Sequence, residues 1–188
     1  MDFNLNAASE KLTTTYQTPG IATVEFTEVL LEKTKANGVA FIKLVTKNEN
    51  GDLGHSSQMF LSTDVKPGKK MAAWNVTARN LVDILTSAHN CDEPTAKDMI
   101  AATSEEDLKN KLSARLVGRK VRAKFKGETS QKGNIFAILS QTESAQVPLE
   151  QSRLKFDKDR DIKPFQGVPQ SNDQQSFETA DKTKDLPF

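Results

Sequence analysis

Within the stretch from Gly118 to Ser140 the chain first switches, one residue at a time, between cationic and apolar side chains: Lys120, Arg122, Lys124 and Lys126 interleave with Val121, Ala123 and Phe125. A period of two marks a β-strand, because successive side chains leave opposite faces. One face of this strand is therefore apolar and the other wholly positive. A face that needs only solubility mixes signs, since four like charges repel one another and a nearby polyanion relieves that repulsion. Two readings follow: an edge strand guarded by lysines against aggregation, or a sheet surface that tracks a phosphate backbone. A polar turn over 127–133 then leads into Ile135-Phe136-Ala137-Ile138-Leu139, which completes a hairpin.

Upstream, Pro19-Gly20 separates a polar arm, residues 1–18, from a run rich in β-branched and aromatic residues (Ile21, Val24, Phe26, Val29) that reads as a strand through Lys33. Its alternation slips at Val29-Leu30-Leu31. That slip predicts a bulge or bend of the kind that lets one strand of a small barrel pair on two sides. The Asn37-Gly38 turn opens a second strand over 39–47, with Ala40, Ile42 and Leu44 assigned to the core and Phe41, Lys43, Val45 and Lys47 to the opposite face. Asn50-Gly51-Asp52 turns the chain into a third strand over 55–63. Pro67-Gly68 then breaks the sheet pattern and the period becomes helical. Leu81, Val82, Leu85 and Ala88 mark a helix capped by Thr77, Pro94 opens a short one through Ile100, and Ser104-Glu105-Glu106-Asp107 caps a third carrying Leu108, Leu112 and Leu116.

Three strands, a helical insertion and two strands is the connectivity of a five-stranded Greek-key barrel of the oligonucleotide-binding type, an OB-fold, spanning residues 19–150. The fold class expected is thus all-β to α+β, and other α+β arrangements of the same elements stay open. Residues 151–188 read as a tail. Leu154, Phe156, Ile162 and Phe165 are scattered among charges, and from Gly167 the composition offers little to bury, which predicts disorder. The tail ends in Asp185-Leu186-Pro187-Phe188, an apolar, proline-stiffened tip suited to a pocket in another protein.

The totals narrow the function classes. Lys and Arg number 26 against 25 Asp and Glu, so affinity for a polyanion must come from segregated rather than net charge. The charges are segregated: the chain leans basic up to Gln141 and acidic from Glu143. A single cysteine, Cys91, permits neither an intramolecular disulfide nor a multi-cysteine metal site. His55 and His89, the two histidines, fall in no metal-ligand or acid–base spacing, and Gly118-Arg119-Lys120 lacks the upstream glycine of a phosphate loop. No enzymatic activity and no cofactor are expected. With no signal-like start and no apolar run long enough for a bilayer, the expected compartment is the cytoplasm, without membrane association.

The terminal Asp185-Leu186-Pro187-Phe188, together with the inferred barrel, resembles the C-terminal tip of bacterial and bacteriophage single-stranded-DNA-binding proteins, although Lys182 and Lys184 interrupt the acidic run usual there. The resemblance implies a barrel that binds single-stranded DNA and a tip that recruits replication, recombination or repair proteins; for a phage-encoded member the compartment is the host cytoplasm. Binding a single strand needs cations for phosphates and rings for bases, each stacked base contributing roughly 1–3 kcal/mol. The candidates are Lys33 and Lys35 at the first turn, Phe41 and Lys43, Phe60, Trp74, the series Lys120, Arg122, Lys124 and Lys126, and Phe136. Each has a plainer role open to it: Phe41 and Trp74 as packing residues, Phe136 inward if the register differs by one, the lysines as solvated charge. A protein-interaction module using the same sheet, a single-stranded-RNA binder, and a homo-oligomeric assembly also remain open.

Overall fold

The computed structural model describes residues 15–164. Seven strands and four α-helices follow one another as β1 (Gly20–Lys33), β2 (Ala40–Asn48), β3 (Leu53–Ser56), β4 (Met59–Phe60), α1 (Ala73–His89), α2 (Glu93–Ile100), α3 (Glu105–Leu116), β5 (Lys120–Thr129), β6 (Ile135–Ser144), α4 (Lys158–Asp161) and β7 (Ile162–Lys163), with a 3₁₀ turn at Leu149–Gln151. The architecture is a mixed sheet with helices. Its strand order is β1-β2-β3-β6-β5, and β1 also pairs with β5, so five strands form a ring. Within the ring β3 and β6 run parallel and the other pairs are antiparallel.

Strand β1 serves two neighbours. Gly20 to Glu25 pair with β5, whereas Val24 to Lys33 pair with β2, and the register to β2 shifts between Phe26 and Glu28. A bulge of this kind bends the strand and lets it change partners. It falls at Thr27, ahead of the slip expected at Val29-Leu30-Leu31. Beyond it Leu30 pairs opposite Lys43, and Val29, paired with Leu44, is buried.

The expected third strand divides into β3 and β4, which pair with β2 separately: Val45 opposite His55, and Phe41 opposite Phe60. The first helix starts four residues earlier than the expected cap. Thr77 is a buried residue inside α1 whose hydroxyl donates to the Phe60 carbonyl at 2.8 Å. The other two helices begin where the sequence predicts, with Asp92 accepting from the Thr95 N–H and Ser104 from the Asp107 N–H.

Inside the ring, Val24, Phe26, Ile42, Leu44, Val121, Ala123 and Phe125 form the core, and Leu81, Leu85, Leu108, Leu112 and Leu116 from the helices close onto it. Ala40, Ile42 and Leu44 are buried as expected. Each fully buried Leu or Phe contributes about 1.5–3 kcal/mol, which makes this cluster the main stabilising feature. α1 packs along β6 and α3 along β1. Neither helix packs along β2 or β3, and α1 meets β6 over its later half, where Thr142 bonds to Ser87.

Residues 151–164, assigned above to the tail, are part of the folded body. Leu154 is buried, and Ile162 and Lys163 pair with Gly127 and Glu128 of β5. A Cβ on Gly127 would lie 3.2 Å from the Ile162 side chain, so the lack of a side chain there lets the segment lie flat against the strand. The tip Asp185 to Phe188 and residues 1–14 lie outside the described residues.

Candidate nucleic-acid interface

The basic series of β5 does project from one face, but that face is occupied. Arg122 and Lys124 are both 8 % exposed. Arg122 Nη1 donates to Glu143 Oε1 at 3.0 Å, across the strand pair in which these two residues face each other. Lys124 Nζ lies 2.7 Å from Asp161 Oδ2, and Lys126 Nζ lies 3.9 Å from Asp161 Oδ1. The expected exposed cationic wall is therefore corrected. Glu143 of β6 and Asp161 of the segment that returns over β5 supply carboxylates to three of the four cations, leaving Lys120 exposed and Lys126 half-buried.

The carboxylates are held for that task. The Asp157 N–H donates to Asp161 Oδ2 at 2.9 Å, and this bond, followed by the Lys124 ammonium, keeps the Asp161 carboxyl below its ordinary range. Burial pushes Glu143 up, but the Arg153 N–H at 2.7 Å, the Ser152 hydroxyl and the Arg122 guanidinium together outweigh it and leave it lowered. Both acids are ionised at neutral pH, and the charges beneath them are matched.

The neighbouring wall of β2, β3 and β6 is different. By register, Lys43, Val45, His55, Ile138 and Phe136 share its outer face, with Lys126 next to Ile138 on β5. Phe136 is 57 % exposed, so it points outward as one of its two expected registers requires. Tyr16 is 63 % exposed, with its ring 6.2 Å from that of His55. Burial first, and then the Lys43 ammonium, lower the His55 pKa, and its Nδ1 is buried without a hydrogen-bond partner among the described residues. The imidazole is thus neutral at pH 7, an aromatic surface between a lysine and a tyrosine.

The remaining candidates divide. Phe41 is 3 % exposed and meets the half-buried Phe60 edge-on at 5.8 Å, so it supports the wall and offers no free ring face. Trp74, half-buried in the first turn of α1, packs against the core. Lys33 and Lys35 are exposed at the β1–β2 turn, where the Thr34 N–H bonds to the Val39 carbonyl and Gly38 takes a φ of 66°. Tyr16 lies in the polar arm and His55 has no metal-ligand spacing, so neither stands out in the sequence as a binding residue. Lys66, Lys69 and Lys70 form a cluster around Pro67-Gly68 that is visible in the sequence but falls outside the strand pattern.

Two grooves flank α1. One, of about 610 Å³ between α1 and β6, is lined by Asp83, Glu143 and many hydroxyl and amide groups. The other, of about 680 Å³ beside the amino end of α1, has Met59, Phe60, Met71 and Val76 in its lining and Lys66, Lys69 and Lys70 at its rim. Among the described residues no helix is long and apolar enough to cross a membrane, and no cluster of three or more His, Cys, Asp or Glu is placed to hold a metal. Compared with known proteins, the chain matches no family model and no curated protein.

Proposed function

We propose that the protein binds single-stranded DNA without strong sequence preference, holding it on the outer wall of β2, β3 and β6. The observation that carries this reading is the grouping of rings and cations there: the exposed Tyr16 and Phe136 and the half-buried His55, beside the half-buried Lys43 and Lys126. A sequence-indifferent binder needs π-faces for bases and cations for phosphates on one surface. The ring of five strands, with its helices inserted between the third and fourth and its parallel closing pair, supports reading the sheet as an oligonucleotide-binding barrel. In such barrels the strand crosses the face of the second and third strands and is flanked by the first and last hairpin loops. Here those loops carry Lys33, Lys35 and Lys132.

On this reading the basic series of β5 contributes through Lys120 and Lys126, while Arg122 and Lys124 hold the body together. The tip Asp185-Leu186-Pro187-Phe188 recruits replication or recombination proteins, as its resemblance implies. Titrating labelled oligo-dT, oligo-rU and duplex DNA at two salt concentrations tests the assignment. Tight binding of oligo-dT that weakens as salt rises, with duplex bound poorly, is expected. Equal affinity for all three, or none, overturns it; preference for oligo-rU moves the function to RNA.

A further inference from the structure

Three of the four cations of β5 are matched by carboxylates, so a polyanion's path is traced by the unmatched cations elsewhere as well as by Lys120. Lys66, Lys69 and Lys70 stand together in the exposed segment between β4 and α1, and none of them makes an ion pair with a described residue. All three line the 680 Å³ groove, where Asp64 is the sole carboxylate. Its apolar surface is open to solvent: Met71 is 52 % and Val76 48 % exposed. The amino end of α1 adds to the positive potential. Ala72 provides no side-chain cap and the first turn holds no acid, in contrast to the capped, acid-bearing starts of α2 and α3. The groove also adjoins the proposed wall, because Phe60 lines it while meeting Phe41 on the outer face of β2. The groove between α1 and β6 has Asp83, Glu143 and Arg153 as its charged lining and no comparable group of unmatched cations.

We propose that the lysine-rimmed groove beside α1 continues the strand-binding surface, seating bases of single-stranded DNA on Phe60, Met71 and Val76 while Lys66, Lys69 and Lys70 hold its phosphates. The assignment rests on the single-strand reading above and extends it to a second, separable part of the path. A basic rim around an exposed apolar floor matches the two demands of an unpaired strand, phosphate neutralisation and base burial, at once.

The test is anisotropy of labelled oligo-dT with the full chain over a series of salt concentrations. Replacing all three lysines, K66A/K69A/K70A, alters only exposed side chains, and circular dichroism checks that the fold is kept. The affinity should fall about tenfold or more near physiological salt, and the slope of log K against log salt should shrink by roughly 2, about 0.7 for each lost phosphate contact. Photo-crosslinking with iodouracil-substituted oligo-dT should label the segment from Phe60 to Val76. Wild-type binding with unchanged affinity and slope in the triple variant, or crosslinks confined to Tyr16 and Phe136, overturns the groove assignment while the wall stands, and leaves the groove to a protein ligand. Absence of wild-type binding removes both.

Discussion

Asp161 Oδ2 lies 2.7 Å from Lys124 Nζ, and the two side chains are 5 % and 11 % exposed. Removing one member of such a pair strands the other charge out of water, which costs more than the pair contributes. Asp161→Asn should lower the thermal midpoint by on the order of 5–10 °C. Pairing it with Lys124→Met should restore a large part of the loss. A double variant no better than the single one would mean that the charges do not act as a pair.

Acid should weaken the molecule in two stages. The His55 pKa is lowered by burial and by Lys43, so its contribution to stability is complete above the unfolded value near 6.5 and is lost as pH falls through the folded value. Asp161 and Glu143 are also lowered, and an unfolded carboxyl titrates near 4. Their contribution is present above about pH 5 and disappears as pH drops through their folded values. Thermal midpoints recorded from pH 7 to 3 should show both declines, with His55→Gln reducing the first, to which His89, also lowered by burial, contributes, and Asp161→Asn reducing the second.

Two phenylalanines on the same outer face should behave oppositely. Phe41→Ala empties a buried site and should cost about 3–5 kcal/mol in denaturant unfolding. Phe136→Ala trims an exposed ring and should leave stability within about 0.5 kcal/mol. It should weaken oligo-dT binding by about 1–3 kcal/mol. Unchanged affinity would remove Phe136 from the strand's path.

Gly54 is fixed by space. A Cβ there would sit 2.6 Å from Thr46 Oγ1 and 2.7 Å from the Phe125 ring, both in the interior. Gly54→Ala should therefore destabilise by about 1–3 kcal/mol through overpacking, measured against the wild type by urea unfolding. A neutral result would mean that β3 can move away from the core.

Local periodicity made most of this architecture legible. The alternation of β5, the apolar set Ala40, Ile42 and Leu44, Pro94 in the first turn of α2 and the Ser104 cap need only neighbouring residues, and they stand where the sequence puts them. What was illegible depends on residues distant in the chain. Nothing near Arg122 or Lys124 announces Glu143 or Asp161, because those partners arrive through strand pairing and the return of the chain over β5. Alternation put Phe41 on the outer face correctly, but its burial depends on Phe60 across a strand pair. The lysines at 66, 69 and 70 lie in a stretch without a period, so pattern reading had no handle on the groove they line.

Because β1 is fastened along one half to β5 and along the other to β2, it joins two strands that do not pair with each other. New termini cut near Thr27 would unstitch two pairings together. The hairpin tip at 130–134, held by the Ser130 N–H to the Asn134 carbonyl, lies beyond the last register pair of the hairpin, Thr129 opposite Ile135. A circularly permuted chain opened at that tip keeps every pairing of the ring, and it marks where a reporter or tether can be grafted without loosening the body.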